Sequence, residues 1–344
     1  MTGLKEIHDK ARGRLKGICR VCPVCDGRSC ISGVPGMGGR GGRVGFKRNR
    51  TALGNLLLNL RTIHRTETID TGYELFGIRL SMPVMGAPMC ETTYNFLGNI
   101  DDYRFIVDQV AGAEAAATLA FTGDSPDPPL YGMGLQAINE EAAGKGIPII
   151  KPRKPAEIIR RIKMAEESGV TAVGIDIDAA GFNNLNRAGQ PVGPLSVSQL
   201  KQITACTTLP VILKGIMTAD EALKAVECGA AGLVVSNHGG RALDSTPGTA
   251  EVLPEISSAV KGAIRILVDG GIRSGEDVLK ALALGAEAVL VGRPVAIAAI
   301  GGGGEGVSLL YREFCDELKR AMLLTGCADL SSIKPSVIRS TDHF

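Results

Sequence analysis

The sequence has no tryptophan, and aromatic residues make up only 4% of its 344 positions, which leaves few flat surfaces on which single-stranded nucleic acid could stack. Charge of one sign is also lacking. The 38 Lys and Arg against 36 Asp and Glu give a formal net charge of +2, too weak a field to gather a polyanion. No stretch reaches the roughly 18 uninterrupted apolar residues of a membrane helix, and the first sixteen residues mix acids and bases with no apolar signal-peptide core. These absences predict a cytoplasmic chain with a small-molecule partner and neither a nucleic-acid nor a membrane partner. A hydrophobic content of 44% is enough for one large core. The nine cysteines are expected as reduced thiols or metal ligands rather than disulfides in such a compartment.

Two segments repeat in length and pattern, TADEALKAVECGAAGLVVS (218–236) and SGEDVLKALALGAEAVLVG (274–292). Each reads as cap, helix, glycine stop, strand. Thr218 with Glu221 and Ser274 with Asp277 stand three apart, as capping boxes do, and Gly229 and Gly285 sit where a helix needs a left-handed residue to end. A weaker copy has a helix over 155–168, Gly169, and then TAVGIDID. Eight apolar runs of strand length follow one another, at 83–89, 115–119, 148–152, 172–178, 210–215, 232–237, 266–271 and 288–293. Eight such runs alternating with helices predict an α/β fold, a (β/α)8 TIM barrel, rather than an open doubly wound sheet, for which no GxGxxG follows an early strand. The expected division is an N-terminal extension over 1–80, with a Cys cluster and helices packing on the barrel, and the barrel itself over 81–344. Within the extension the sequence suggests a helix over 53–63 and a flexible glycine-rich linker over 36–45; a last helix is expected over 308–324.

Functional groups of such barrels sit at the carboxyl ends of the strands. Those ends supply Asp176 and Asp178 from the fourth run, Lys214 from the fifth, Ser236, Asn237, His238 and Arg241 from the sixth, Asp269 and Arg273 from the seventh, and Arg293 from the eighth. The GGIRSG and VGRP segments place backbone amides and two arginines around one point, a phosphate grip. Lys, His and Arg at one mouth suit an anionic substrate: His238 as base, Arg241 as bidentate carboxylate clamp, Lys214 as fixed positive charge.

On SNHGGRALD (236–244), PVILKG (210–215), LVDGGIRSGEDVLKALALGAEAVLVGRP (267–294) and KRNRTAL (47–53), the sequence resembles the FMN-dependent 2-hydroxy-acid dehydrogenases and oxidases, the glycolate oxidase and lactate oxidase family. The resemblance runs from about residue 38 to the end. It implies an FMN-binding barrel that oxidises a small 2-hydroxy acid such as lactate to the 2-oxo acid, with hydride passing to flavin N5. It implies His238 as the proton acceptor, Arg241 as carboxylate anchor, Asp178 as the charge stabilising the imidazolium of His238, and Lys214 at the flavin N1 and O2 edge. Ser236, Asp269, Gly271, Arg273, Gly292 and Arg293 match cofactor contacts in the family, Thr118 stands at a hydroxyl position, and Pro88, Met89 and Cys90 should run past the flavin ring. The family also implies a homo-oligomer, tetramer or larger; the electron acceptor stays open.

The chain departs from that family at several points. Its two substrate tyrosines are missing, near Val34–Pro35 and in PIIK. Asp176 replaces an expected threonine, where it could share a proton with Asp178 or be a solvated strand-end acid. Arg187 is the candidate for a second carboxylate-binding arginine, since Asn184 holds the usual position. Lys151 is a substrate or flavin donor if it points inward, and solvated if alternation points it outward. These departures keep alternatives alive: an isomerase-like flavin barrel without net oxidation, or a flavin and metal sensor or electron-transfer subunit.

Finally, Cys19, Cys22, Cys25 and Cys30 are spaced C-x2-C-x2-C-x4-C. That spacing resembles [4Fe-4S] ligation. A zinc site and free thiols remain the other two readings, since spacing does not set metal identity.

Overall fold

A computed structural model of the protein describes residues 3–96, 100–125 and 128–341. Eight parallel strands close into a barrel in sequence order: β1 (Val84–Met89), β2 (Ala120–Thr122), β3 (Ile147–Ile150), β4 (Val173–Asp176), β5 (Val211–Ile216), β6 (Gly232–Val235), β7 (Arg265–Val268) and β8 (Ala288–Val291). This is the (β/α)8 barrel, with helices surrounding the strands. Helices end where the repeats place their glycines: Gly169, Gly229 and Gly285 have φ of 69°, 78° and 112°, a region closed to most side chains. Ser274 accepts from the Asp277 amide at 3.2 Å, whereas the Thr218 hydroxyl makes no such cap.

Alternation along the strands fixes the barrel interior. Met85, Phe121, Ile149, Ile212, Val234, Leu267 and Ala288 pack in one buried apolar cluster across its middle. Two residues further along successive strands come Lys151, Lys214, Ser236 and Asp269, with Asp176 on the intervening strand; all five are buried. The pleat therefore seals the lower barrel with hydrocarbon and opens a polar layer at the carboxyl ends.

The second strand lies later than the apolar run at 115–119 suggests. That alanine-rich run completes the helix Asp102–Glu114 and its exit turn, with Ala117 at φ 52°. Thr118 therefore precedes the strand, at the opposite end of the barrel from the site, and its hydroxyl donates to the Val84 carbonyl; it is not a cofactor contact. The helix expected over 53–63 is also displaced. The helix is Val44–Gly54, and Leu56–Leu58 pairs antiparallel with Ile338–Ser340 near the far end of the chain.

The glycine-rich segment is packed rather than a flexible linker. The Arg40 amide donates to the Gly240 carbonyl at 2.8 Å, and the Gly42 and Val44 amides both donate to the Asp244 carboxylate. At Gly38 an added Cβ would lie 2.0 Å from the Ser32 carbonyl oxygen, so glycine is needed for close backbone approach. KRNR then fastens this segment to the barrel. Asn49 and Asn237 exchange amide hydrogen bonds at 2.8 and 3.0 Å, Arg48 pairs with Glu251, and Arg50 with Asp277 and the Gly271 carbonyl. The C-terminal helix is longer than expected, Arg293–Thr325, and kinks at Gly303. No helix among the described residues is long and apolar enough to cross a membrane.

Candidate active site

The polar layer opens into a cavity of about 440 Å3 at the carboxyl end of the barrel, within the range of small-molecule sites. Asp176 is at its floor, 1% exposed, accepting from Lys151 Nζ at 2.5 Å and Lys214 Nζ at 2.9 Å. Burial by itself would raise its carboxyl, but His238, Lys151 and Lys214 together outweigh burial and hold it well below the usual carboxylate range. Asp176 is thus an ionised hub between two ammonium groups; it neither shares a proton with Asp178 nor stands in solvent. Lys151 points inward, with Nζ also 5.0 Å from the centre of the Phe182 ring. Lys214 opposes burial with Asp176, Asp178 and Asp269, which hold it protonated, well above the ordinary lysine value.

His238 follows β6 in a turn of three left-handed residues, His238, Gly239 and Gly240, at φ 56°, 62° and 75°. Only the first carries a side chain, and a positive φ there is the kind of local strain found at functional sites. Ser236 Oγ accepts from the His238 amide at 3.1 Å and donates to Asp269 Oδ2 at 2.8 Å, while Asn237 Oδ1 accepts from the Gly240 amide. The imidazole Nδ1 lies 3.0 Å from Asp178 Oδ1 and 3.5 Å from Asp176 Oδ1. Phe182 packs edge-on against the ring at 4.9 Å. A carboxylate on Nδ1 makes it the protonated nitrogen of a neutral imidazole and leaves Nε2 as the acceptor.

Three arginines crowd the rim. Arg241 donates to the Gly36 and Gly38 carbonyls at 2.6 and 3.0 Å and to Asn95 Oδ1 at 2.8 Å. Burial pushes it down to about 10. Arg293 donates to the carbonyls of Met37, Gly38 and Gly239 and stacks on Phe46 at 3.7 Å. Burial first, then the charges of Arg241 and Arg273, push it down to about 9. Arg273 donates to the Cys25 carbonyl at 3.2 Å. Guanidinium groups gathered with carbonyl partners and, among the described residues, no carboxylate bond make a site suited to an anion. Seven Lys and Arg and four Asp and Glu line the cavity, so its field favours a ligand with several negative charges.

These features fit a phosphorylated, polyhydroxylated ligand such as FMN. Asp269 Oδ1 is buried with no hydrogen-bond partner among the described residues, and it sits beside Gly270, Gly271 and Arg273 in the cavity wall, where a sugar-alcohol hydroxyl could donate to it. At Gly271 a Cβ would come within 2.4 Å of the Asn49 carbonyl oxygen at φ 87°. Gly292 also lines the cavity, capping the last helix. Pro88, Met89 and Cys90 line the wall from β1, and burial pushes the Cys90 thiol well up.

Of the remaining sequence-derived candidates, Arg187 lies exposed on the rim. Cys19, Cys22, Cys25 and Cys30 line a separate, smaller cavity with Arg293. The structure adds Glu91, Tyr94 and Asn95, from the segment after β1, and Phe182, from the turn after β4. Asn184 Nδ2 lies 3.3 Å from both Glu91 carboxylate oxygens, and burial raises that carboxyl against the pull of Lys151. Their signal was positional: both segments leave strands at the functional end.

Fold and site together define a (β/α)8-barrel enzyme whose cationic cavity, with a His–Asp pair in its wall, suits a phosphorylated cofactor. The model of the family described as FMN-dependent dehydrogenase matches residues 37–193 and 187–340. Glycolate oxidase 1 of Zea mays is 32% identical over 341 residues, covering 86% of this chain and 88% of its own. The 4-hydroxymandelate oxidase of Amycolatopsis orientalis is 32% identical, over 83% and 87% of the two chains. A mandelate oxidase structure with benzoyl-formic acid superimposes with a TM-score of 0.78 at 29% identity, covering 99% and 98%. The chain belongs to the FMN-dependent dehydrogenase family.

Proposed function

We propose that the protein oxidises a small 2-hydroxy acid to the 2-oxo acid with bound FMN, and the observation that carries this is His238 Nδ1 held 3.0 Å from Asp178 in the wall of a cationic cavity. When bound, FMN supplies a two-electron acceptor for the hydride on the substrate's C2. His238 Nε2 takes the hydroxyl proton, and the Asp178 carboxylate stabilises the imidazolium so formed. Arg241, oriented by the Gly36 and Gly38 carbonyls and Asn95, holds the carboxylate. Arg187 at the rim and Lys151 on the floor are the further substrate contacts, and Tyr94 is the phenol nearest to replacing the family's missing tyrosines. Asp269, Gly271, Arg273, Gly292 and Arg293 would hold the polyol and phosphate of the cofactor, and Lys214 would supply positive charge against the negative charge that reduction brings. The balance per turnover is one hydroxy acid converted to one oxo acid, releasing two electrons and two protons. None of the nine cysteines is joined in a disulfide, which supports a reducing compartment such as the cytoplasm.

The test is net electron transfer from a panel of 2-hydroxy acids to an artificial acceptor. Product formation without electron transfer would contradict the reading and favour isomerase-like chemistry. Replacing His238 with Ala should lower turnover by about 10²–10⁴-fold, the usual worth of a general base, with FMN still bound; an unchanged rate would remove His238 from the mechanism.

A further inference from the structure

We propose that Cys19, Cys22, Cys25 and Cys30 ligate a [4Fe-4S] cluster that sits one side chain away from the cofactor cavity and carries electrons out of it singly. The family's barrel chemistry does not account for this head, and four observations converge on it.

The first is convergence. Cysteines spread over twelve positions all line one cavity of about 20 Å3, together with Met37 and Arg293. The second is length without regular structure. Between the helix Leu4–Arg14 and the helix Val44–Gly54 the structure has no helix or strand, and no disulfide crosses it. Loops longer than about 12–15 residues without structure of their own are uncommon in compact domains unless something else organises them.

The third is spacing along the chain. Cys19, Cys22, Cys25 and Cys30 follow C-x2-C-x2-C-x4-C, with three cysteines at two-residue intervals as in [4Fe-4S] ligation, whereas four-cysteine zinc sites pair theirs as two separated knuckles. The fourth is charge. Four thiolates leave a cubane anionic, and Arg273 Nη2 lies 3.6 Å from Cys25 Sγ while its Nε donates to the Cys25 carbonyl; hydrogen bonds to cluster sulfurs are a means of setting its potential.

Met37 and Arg293 line both cavities, which places the cluster against the cofactor site. Its role as an electron outlet rests on the hydroxy-acid reading; its existence does not. A hydroxy acid yields two electrons and two protons. The cubane accepts one electron at a time, so two one-electron oxidants are reduced per oxo acid formed. With ferricyanide as oxidant, one hydroxy acid and two ferricyanide ions give one oxo acid, two ferrocyanide ions and two protons.

The experiment uses the full chain purified without oxygen. About four irons and four acid-labile sulfides per chain, with a paramagnetic signal after dithionite, are expected of a cubane. One zinc without iron, or thiols without metal, overturns the proposal. The paired variant Cys22→Ser/Cys25→Ser should lose the iron, and Cys206→Ser, outside the cluster, should keep it; iron retained in the first variant also overturns the assignment. Adding a hydroxy acid without oxygen should bleach the flavin and bring up the same paramagnetic signal. A bleached flavin beside an oxidised cluster rules out the outlet, whereas an iron-loaded protein whose flavin stays yellow supports the cluster and contradicts the hydroxy-acid reading.

Discussion

At the scale of single residues, Asp176 decides the charge of the site. It sits between Lys151 and Lys214, 1% exposed, and replacing it with Asn leaves two buried ammonium groups short of a partner, which costs about 3–5 kcal/mol of stability at neutral pH. Its folded-state carboxyl is held below the usual range, so its contribution is fully present above the unfolded value of about 4 and is lost as pH falls toward the folded one. The stability gap between wild type and Asp176→Asn, read from denaturant midpoints, should therefore narrow from pH 7 to pH 3. A gap independent of pH would mean that Asp176 is not the ionised hub. Arg241 is the second decisive residue. Arg241→Lys keeps the charge but loses the planar fork, and with a charged hydrogen bond worth about 1.5–3 kcal/mol the KM for hydroxy acid should rise roughly 10–150-fold. A rise in KM confined to Arg187 variants would instead move the carboxylate anchor from Arg241 to Arg187.

At the scale of elements, alternation and strand order made most of the site legible. Asp176, Lys214, Ser236 and Asp269 are readable as a polar layer because each ends an apolar strand, and the doubled repeat at 218–236 and 274–292 announces the βα unit. Elements set by distant partners were not legible. Leu56–Leu58 has helix-like neighbours and becomes a strand only because Ile338–Ser340 pairs with it. The alanine run at 115–119 is as apolar as a strand but has high helix propensity, and it finishes a helix, which carried the expectation for Thr118 to the wrong end of the barrel. The carbonyls that orient Arg241 come from more than 200 positions away, beyond any local pattern. The Asn49–Asn237 pair ties these two parts together and also serves the Thr249 amide. Asn49→Ala should lower stability by about 1–3 kcal/mol by leaving buried amides unpaired, measurable by denaturant unfolding of the cofactor-free protein; an unchanged midpoint would show that the extension is fastened elsewhere.

At the scale of the whole molecule, the barrel and its extension form one working unit. Gly36, Met37 and Gly38 supply the carbonyls that hold Arg241 and Arg293, so residues outside the barrel shape both the proposed anchor for substrate and the proposed grip on the cofactor. In the proposed mechanism the SNHGGR turn supplies the base, the turn after β4 supplies its charge partner Asp178, and the extension closes the rim around them. The central claim is that this arrangement passes hydride equivalents from a 2-hydroxy acid to FMN. The most direct measurement is an anaerobic titration of the FMN-loaded protein with 2-hydroxy acids, following flavin absorbance and 2-oxo acid together. The expected result is bleaching with one oxo acid formed per flavin reduced; a fully loaded protein that keeps its flavin absorbance with every hydroxy acid of the panel would contradict it.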